Sequence, residues 1–166
     1  MRRLAKKTAR MIGTAAAGAG MAAVAVVGTA APASADAIWL ANMNSSKCLV
    51  AQGDSDGSSV YQYSCLGYKD QKWAFWADSP GVYMLGNMNS LKCLVVQGTS
   101  NGSGAFQYEC HDSYADQKWE RIKSEAGFML KNVNSGKCLV VQGTGNGSRA
   151  FQYTCDPSMP DQWWHF

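Results

Sequence analysis

Six cysteines stand in three couples, Cys48 with Cys65, Cys93 with Cys110 and Cys138 with Cys155, each 17 residues apart. In an oxidising compartment such spacing reads as a disulfide framework, and its threefold repetition favours a bridge within each couple. Zinc is a poor alternative, because no two cysteines have C-x₂-C spacing and His111 and His165 are the only histidines. Neither histidine supports catalysis: His111-Asp112 occurs once, with no nucleophile placed beside it, and His165 is unrepeated. No acidic pair stands apart as a general acid and base, so the chain is not expected to be an enzyme. Asp54-Ser55-Asp56-Gly57 resembles the start of a calcium loop, but Cys65 occupies the position that needs a bidentate Glu. The expectation is no metal and no cofactor. Asn44, Asn101 and Asn146 each open an N-x-Ser sequon, consistent with exposed loops.

The elements that hold these residues come in triplicate. KCLVAQG (47–53), KCLVVQG (92–98) and KCLVVQG (137–143) are each followed by YQYSC (61–65), FQYEC (106–110) or FQYTC (151–155). QKW (71–73), QKW (117–119) and QWW (162–164) then close the repeats, which have a period of about 45 residues. Within the first repeat, short strands are expected at 38–42, 47–52, 60–65 and 71–77, separated by Gly/Asn/Asp/Ser-rich turns. No stretch has sustained helical periodicity. If Cys48 faces Cys65 across two antiparallel strands, Val50 faces Tyr63 and Gln52 faces Tyr61. Cys48, Val50, Gln52, Tyr61 and Tyr63 then share one face, while Leu49 and Ala51 point to the core. The outer face repeats as Val95, Gln97, Phe106 and Tyr108, and as Val140, Gln142, Phe151 and Tyr153.

Residues 1–35 read as a secretory signal peptide. Arg2, Arg3, Lys6, Lys7 and Arg10 precede an apolar Ala/Gly/Val run, and Pro32-Ala33-Ser34-Ala35 supplies a small-residue cleavage site. Its removal changes the charge from the formal +3 of the whole chain to a mildly acidic 36–166, because all five early charges are basic. Dispersed charge of that kind lacks the footprint of a nucleic-acid binder, and no membrane span is expected after cleavage. The expectation is a secreted, extracellular monomer.

Three repeats ending in Gln-x-Trp, with Lys-Cys-Leu before it and a cysteine couple between, resemble the ricin-type β-trefoil lectin family. The resemblance covers essentially all of 36–166, with repeats at about 37–80, 81–125 and 126–166. It implies an all-β fold of three four-stranded repeats with pseudo-threefold symmetry: a six-stranded barrel capped by three hairpins, with Trp73, Trp119 and Trp164 meeting in a shared core. Gln71, Gln117 and Gln162 are then scaffold amides that satisfy turn backbone groups.

The resemblance also implies one shallow sugar site per repeat. The aromatic two residues before the second cysteine, which stacks on a sugar ring in the family, is matched by Tyr63, Tyr108 and Tyr153. The polar residue before Gln-x-Trp, often Asn in the family, is matched by Asp70, Asp116 and Asp161. The family's usual Asp after Cys-Leu is replaced by Val50, Val95 and Val140. Asp70, Asp116 and Asp161 are therefore expected to act as acceptors in its place, with Gln52, Gln97 and Gln142 adding an amide. Weak, multivalent carbohydrate binding is the expected function. The alternative is a protein-binding trefoil, an inhibitor or assembly partner of a secreted protein, that uses Val, Phe and Tyr as an exposed apolar platform.

Overall fold

The computed structural model describes residues 37–166; the export signal expected at 1–35 lies outside the described residues. Seven strand segments close into a barrel, with Ile38–Trp39 and Ala41–Asn42 consecutive along the chain at its start. Ile38–Trp39 pairs with Lys72–Ser79, which pairs with Val82–Asn87, and that strand pairs in turn with Lys118–Lys123. Lys118–Lys123 continues to Phe128–Asn132, then to Trp164–His165, and the ring closes on Ala41–Asn42. Every pairing is antiparallel, and full closure leaves the barrel no free edge. Three hairpins cap one end: Cys48–Ala51 with Val60–Tyr63, Cys93–Val95 with Phe106–Tyr108, and Cys138–Val140 with Phe151–Tyr153. This is the β-trefoil expected from the repeats.

The hairpins meet on the pseudo-threefold axis. The N–H of Val60 donates to the Ala105 carbonyl (3.0 Å), Ala105 to Ala150 (2.9 Å) and Ala150 back to Val60 (2.9 Å), a closed ring of hydrogen bonds. Below it lie Leu49, Leu94, Leu139 and the fully buried Trp73, Trp119 and Trp164. Each indole N–H donates to the leucine carbonyl of its own hairpin, at 3.0, 3.1 and 3.3 Å. A large apolar ring can be buried here because its single polar atom is satisfied.

All three disulfides form within their repeats, with Cα–Cα distances of 5.1, 5.1 and 5.0 Å. The hairpin register differs from the expectation that bonded cysteines face each other. Cys48 faces Tyr63, and Val50 faces Tyr61 rather than Tyr63. The cause is an interrepeat clasp that ends the ladder. The N–H of Ser64 donates to Asn146 Oδ1 (3.0 Å), that of Glu109 to Asp56 Oδ1 (2.9 Å) and that of Thr154 to Asn101 Oδ1 (2.9 Å). Each capture pulls the chain off the ladder, and the second cysteine lies beyond it. A shift of two residues preserves side-chain parity, so Leu49 and Ala51 still face the core.

Two further rings of amides bind repeat to repeat. Gln62, Gln107 and Gln152 are fully buried at the centre of the second hairpin strand. Their Nε2 groups reach the carbonyls of Gly143, Gly53 and Gly98 in a neighbouring repeat at 3.0, 2.9 and 3.0 Å. Those glycines have φ of 87°, 86° and 88°, which permits the turn that presents the carbonyl. Asn42, Asn87 and Asn132, also fully buried, donate from Nδ2 to the carbonyls of Asp161, Asp70 and Asp116, each at 2.8 Å.

Candidate functional site

Each candidate aspartate sits in a one-turn 3₁₀ helix: Lys69–Gln71, Ala115–Gln117 and Pro160–Gln162. The glutamine that follows fixes this turn. Gln71 Oε1 accepts from the N–H groups of Leu66 (2.8 Å) and Gly67 (3.1 Å), and its Nε2 donates to the Ser64 carbonyl (2.7 Å). Gln117 bridges His111 N–H and the Glu109 carbonyl, and Gln162 bridges Asp156 N–H and the Thr154 carbonyl. With its carbonyl held by the next repeat's asparagine, each aspartate has little freedom to move.

The aspartate side chains are half-buried, and Oδ1 of Asp70, of Asp116 and of Asp161 is fully buried without a hydrogen-bond partner. One such oxygen could be an accident of packing; the same atom in three repeats is a property of the design. Burial pushes the Asp116 and Asp161 carboxyls above the usual carboxylate range, against a smaller lowering by their backbone hydrogen bonds.

In the second repeat Gln97, Tyr108 and Asp116 line one depression of about 480 Å³, together with Ser113, Tyr114 and Asn134. In the third, Gln142, Tyr153 and Asp161 line another of about 290 Å³, with Met159 on its wall. The first repeat carries exposed Gln52 and Tyr63 and half-buried Asp70 at the same strand and turn positions. Tyr108 and Tyr153 line these depressions, and all three tyrosines are partly exposed. Tyr68, Tyr114 and Met159 form a second set of apolar side chains, each two residues before an aspartate and each exposed. The sequence reading missed them, although a large apolar residue recurring in an otherwise polar loop was the available sign. Tyr114 is steadied by His111, whose ring centroid lies 4.6 Å away.

The valines are a correction. Val50, Val95 and Val140 are expected on an exposed platform, yet each is only 1% exposed. The 3₁₀ turn that carries the aspartate packs against the same hairpin strand and covers them. Val96 and Val141 N–H groups even donate to the Asp116 and Asp161 carbonyls, at 3.3 and 3.2 Å. An apolar Val-Phe-Tyr surface for a protein partner therefore loses its central residue in every repeat. The Asp54–Asp56 loop is also accounted for structurally. Asp56 pairs with Lys92 at 2.7 Å, which holds its carboxyl below the usual range.

Comparison with known proteins agrees with this architecture. The profile of the ricin-type beta-trefoil lectin domain matches residues 37–164. The designed threefold-symmetric protein ThreeFoil is 31% identical, with a TM-score of 0.73, over 76% of this chain and 94% of its own. The hemolytic lectin CEL-III is 31% identical, with a TM-score of 0.62, over 75% of this chain and 28% of its own. The exo-beta-1,3-galactanase of Clostridium thermocellum shares the fold at 22% identity and a TM-score of 0.73, over 77% of this chain and 29% of its own. This chain thus spans under a third of the length of the latter two. No curated protein sequence matches it.

Proposed function

The chain belongs to the ricin-type β-trefoil lectin domain family, and from that membership we propose a secreted, multivalent module that binds sugars weakly through one shallow site in each repeat. Tyr63, Tyr108 and Tyr153 stack on the apolar face of a sugar ring. Asp70, Asp116 and Asp161 accept hydrogen bonds from its hydroxyls, and Gln52, Gln97 and Gln142 reach the same ligand from the hairpin. The observation that carries this reading is that Gln97, Tyr108 and Asp116 line one surface depression and Gln142, Tyr153 and Asp161 line its counterpart in the next repeat. Each aspartate side chain is only half-buried, so the carboxylate keeps an accessible part for sugar hydroxyls.

The carboxylate has in effect changed elements. The family's usual acid after Cys-Leu gives way to a buried valine, and the acid stands instead on the turn before Gln-x-Trp. The net chemistry, one ring face with one carboxylate and one amide, is retained. Three weak copies gain through avidity on a polymer what each lacks alone. Three disulfides are consistent with an extracellular location, and we place the export signal at 1–35 and the repeats at about 37–80, 81–125 and 126–166.

A glycan array and a polysaccharide pull-down with the disulfide-bonded protein test the reading. Binding that disappears in the Tyr63→Ala, Tyr108→Ala, Tyr153→Ala triple variant, with the melting temperature retained, supports it. No retention on any glycan at high protein concentration contradicts it.

A further inference from the structure

At the opposite end of the barrel from the hairpins, the threefold pattern breaks at one residue. Phe75, Arg121 and Phe166 each stand two residues after a core tryptophan and are equivalent by symmetry. Two copies are phenylalanine, so packing alone does not call for a cation in the third. The Arg121 guanidinium carbon lies 4.9 Å from the centroid of Tyr83, 5.7 Å from those of Phe75 and Phe128, and 5.8 Å from that of Phe166. Four rings strip much of its water, yet its charge persists, because a guanidinium does not deprotonate in proteins. Its Nη2 reaches only the Tyr83 hydroxyl at 3.4 Å, and its Nε is buried with no acceptor. Among the described residues Arg121 makes no ion pair.

Arg121 opens onto a depression of about 410 Å³ whose wall also holds Lys123, His165, Ser124 and the exposed ring of Phe166. Glu125 is the one side-chain carboxylate on the rim and pairs with none of these groups, while the main-chain oxygen of Phe166 lies 3.2 Å from His165 Nδ1. We propose that this base depression is a single-copy oxyanion site, which takes a carboxylate or sulfate group on the free edge of the Arg121 guanidinium. Lys123 adds charge and His165 a polar ring at the rim, and Phe166 offers a face for a ring that carries the anion. A planar guanidinium fork matches carboxylate and sulfate oxygens, and desolvation by the aromatic cage strengthens the attraction. The site stands apart from the three hairpin depressions and does not depend on their sugar chemistry.

The test is an NMR titration of the whole protein with sodium glucuronate, sodium acetate, sodium sulfate, glucose and sodium chloride at matched ionic strength. Saturable shifts of the Arg121 Nε–H and His165 resonances with glucuronate or sulfate, absent with glucose and chloride, are expected. Tighter binding of glucuronate than of acetate assigns the anion to an acidic sugar, whereas equal affinities assign a free carboxylate. Arg121→Phe restores the aromatic found in the other two repeats and is expected to weaken anion binding at least about tenfold. Shifts that rise linearly and equally with chloride, or saturable binding unchanged in Arg121→Phe, overturn the proposal. Should that variant fail to fold, the exposed Lys123→Gln, His165→Gln pair decides: several-fold weaker binding supports the site, and unchanged affinity overturns it.

Discussion

The two ends of the barrel use the same strands but treat symmetry differently. At the hairpin end three sets of polar groups recur in every repeat: the asparagines that hold the aspartate carbonyls, the glutamines that hold the loop glycines, and the unpaired aspartate oxygens. A change in one repeat there is felt by the repeat it bonds to. At the base, side chains meet across open aromatic packing with few directional bonds, and one position changes from Phe to Arg without disturbing the ring. Directional hydrogen bonds between repeats therefore preserve triplication, and aromatic packing tolerates its loss. The three proposed sugar sites at one end and the single proposed anion site at the other are the functional counterpart.

The sharpest way to break the contrast is to remove what both ends share. Trp119→Ala opens a cavity in the common core and is expected to cost about 3–5 kcal/mol, seen in chemical denaturation, with both ends losing their ligands. Cys93→Ser with Cys110→Ser removes one staple and should cost about 3 kcal/mol, while reducing sugar capacity first in the second repeat. Val95→Asp is more local. It buries a carboxylate under a turn that already holds Asp116, so it should destabilise by about 2 kcal/mol or more rather than build a family-like site. Tyr108→Ala should lower glycan retention while the melting temperature stays near wild type, because that ring is partly exposed. A matching loss of stability would make the ring a packing residue.

The smallest effect is the pH dependence. Burial raises the Asp116 and Asp161 carboxyls in the folded state, so the folded protein holds these protons more tightly than the unfolded chain. Their contribution to stability is present below the ordinary carboxylate value and declines as pH rises through the raised one. Asp116→Asn should therefore raise the melting temperature slightly at neutral pH, and the gain should shrink in acid. Sugar binding runs the other way: it needs the ionised acceptor and weakens as pH falls through the same interval, measurable by calorimetry at several pH values.

Much of the fold could be read from the chain because repetition supplies its own alignment. Three KCLV phrases and three Gln-x-Trp endings mark the strands and favour the disulfides within repeats, and the family resemblance they carry implies the burial of Trp73, Trp119 and Trp164. The register was misjudged by two residues because the clasps from Asn146, Asp56 and Asn101 act across repeats, and nothing local in YQYSC announces them. Gln62, Gln107 and Gln152 carried a visible sign, a polar residue on the core face of a strand, that went unread. Val50, Val95 and Val140 looked exposed because alternation describes a strand alone, and the turn that covers each comes from about 20 residues further along. Arg121 was invisible as a site: its meaning comes from four rings that only the closed barrel assembles.

The most direct measurement is calorimetric titration of a glycan found in the array screen into wild type and into the Asp70→Asn, Asp116→Asn, Asp161→Asn triple variant, with melting curves for both. If the turn carboxylates are the acceptors, the triple variant loses binding while melting at an equal or higher temperature. Undiminished binding in that variant would contradict the assignment of the three aspartates to the sugar site.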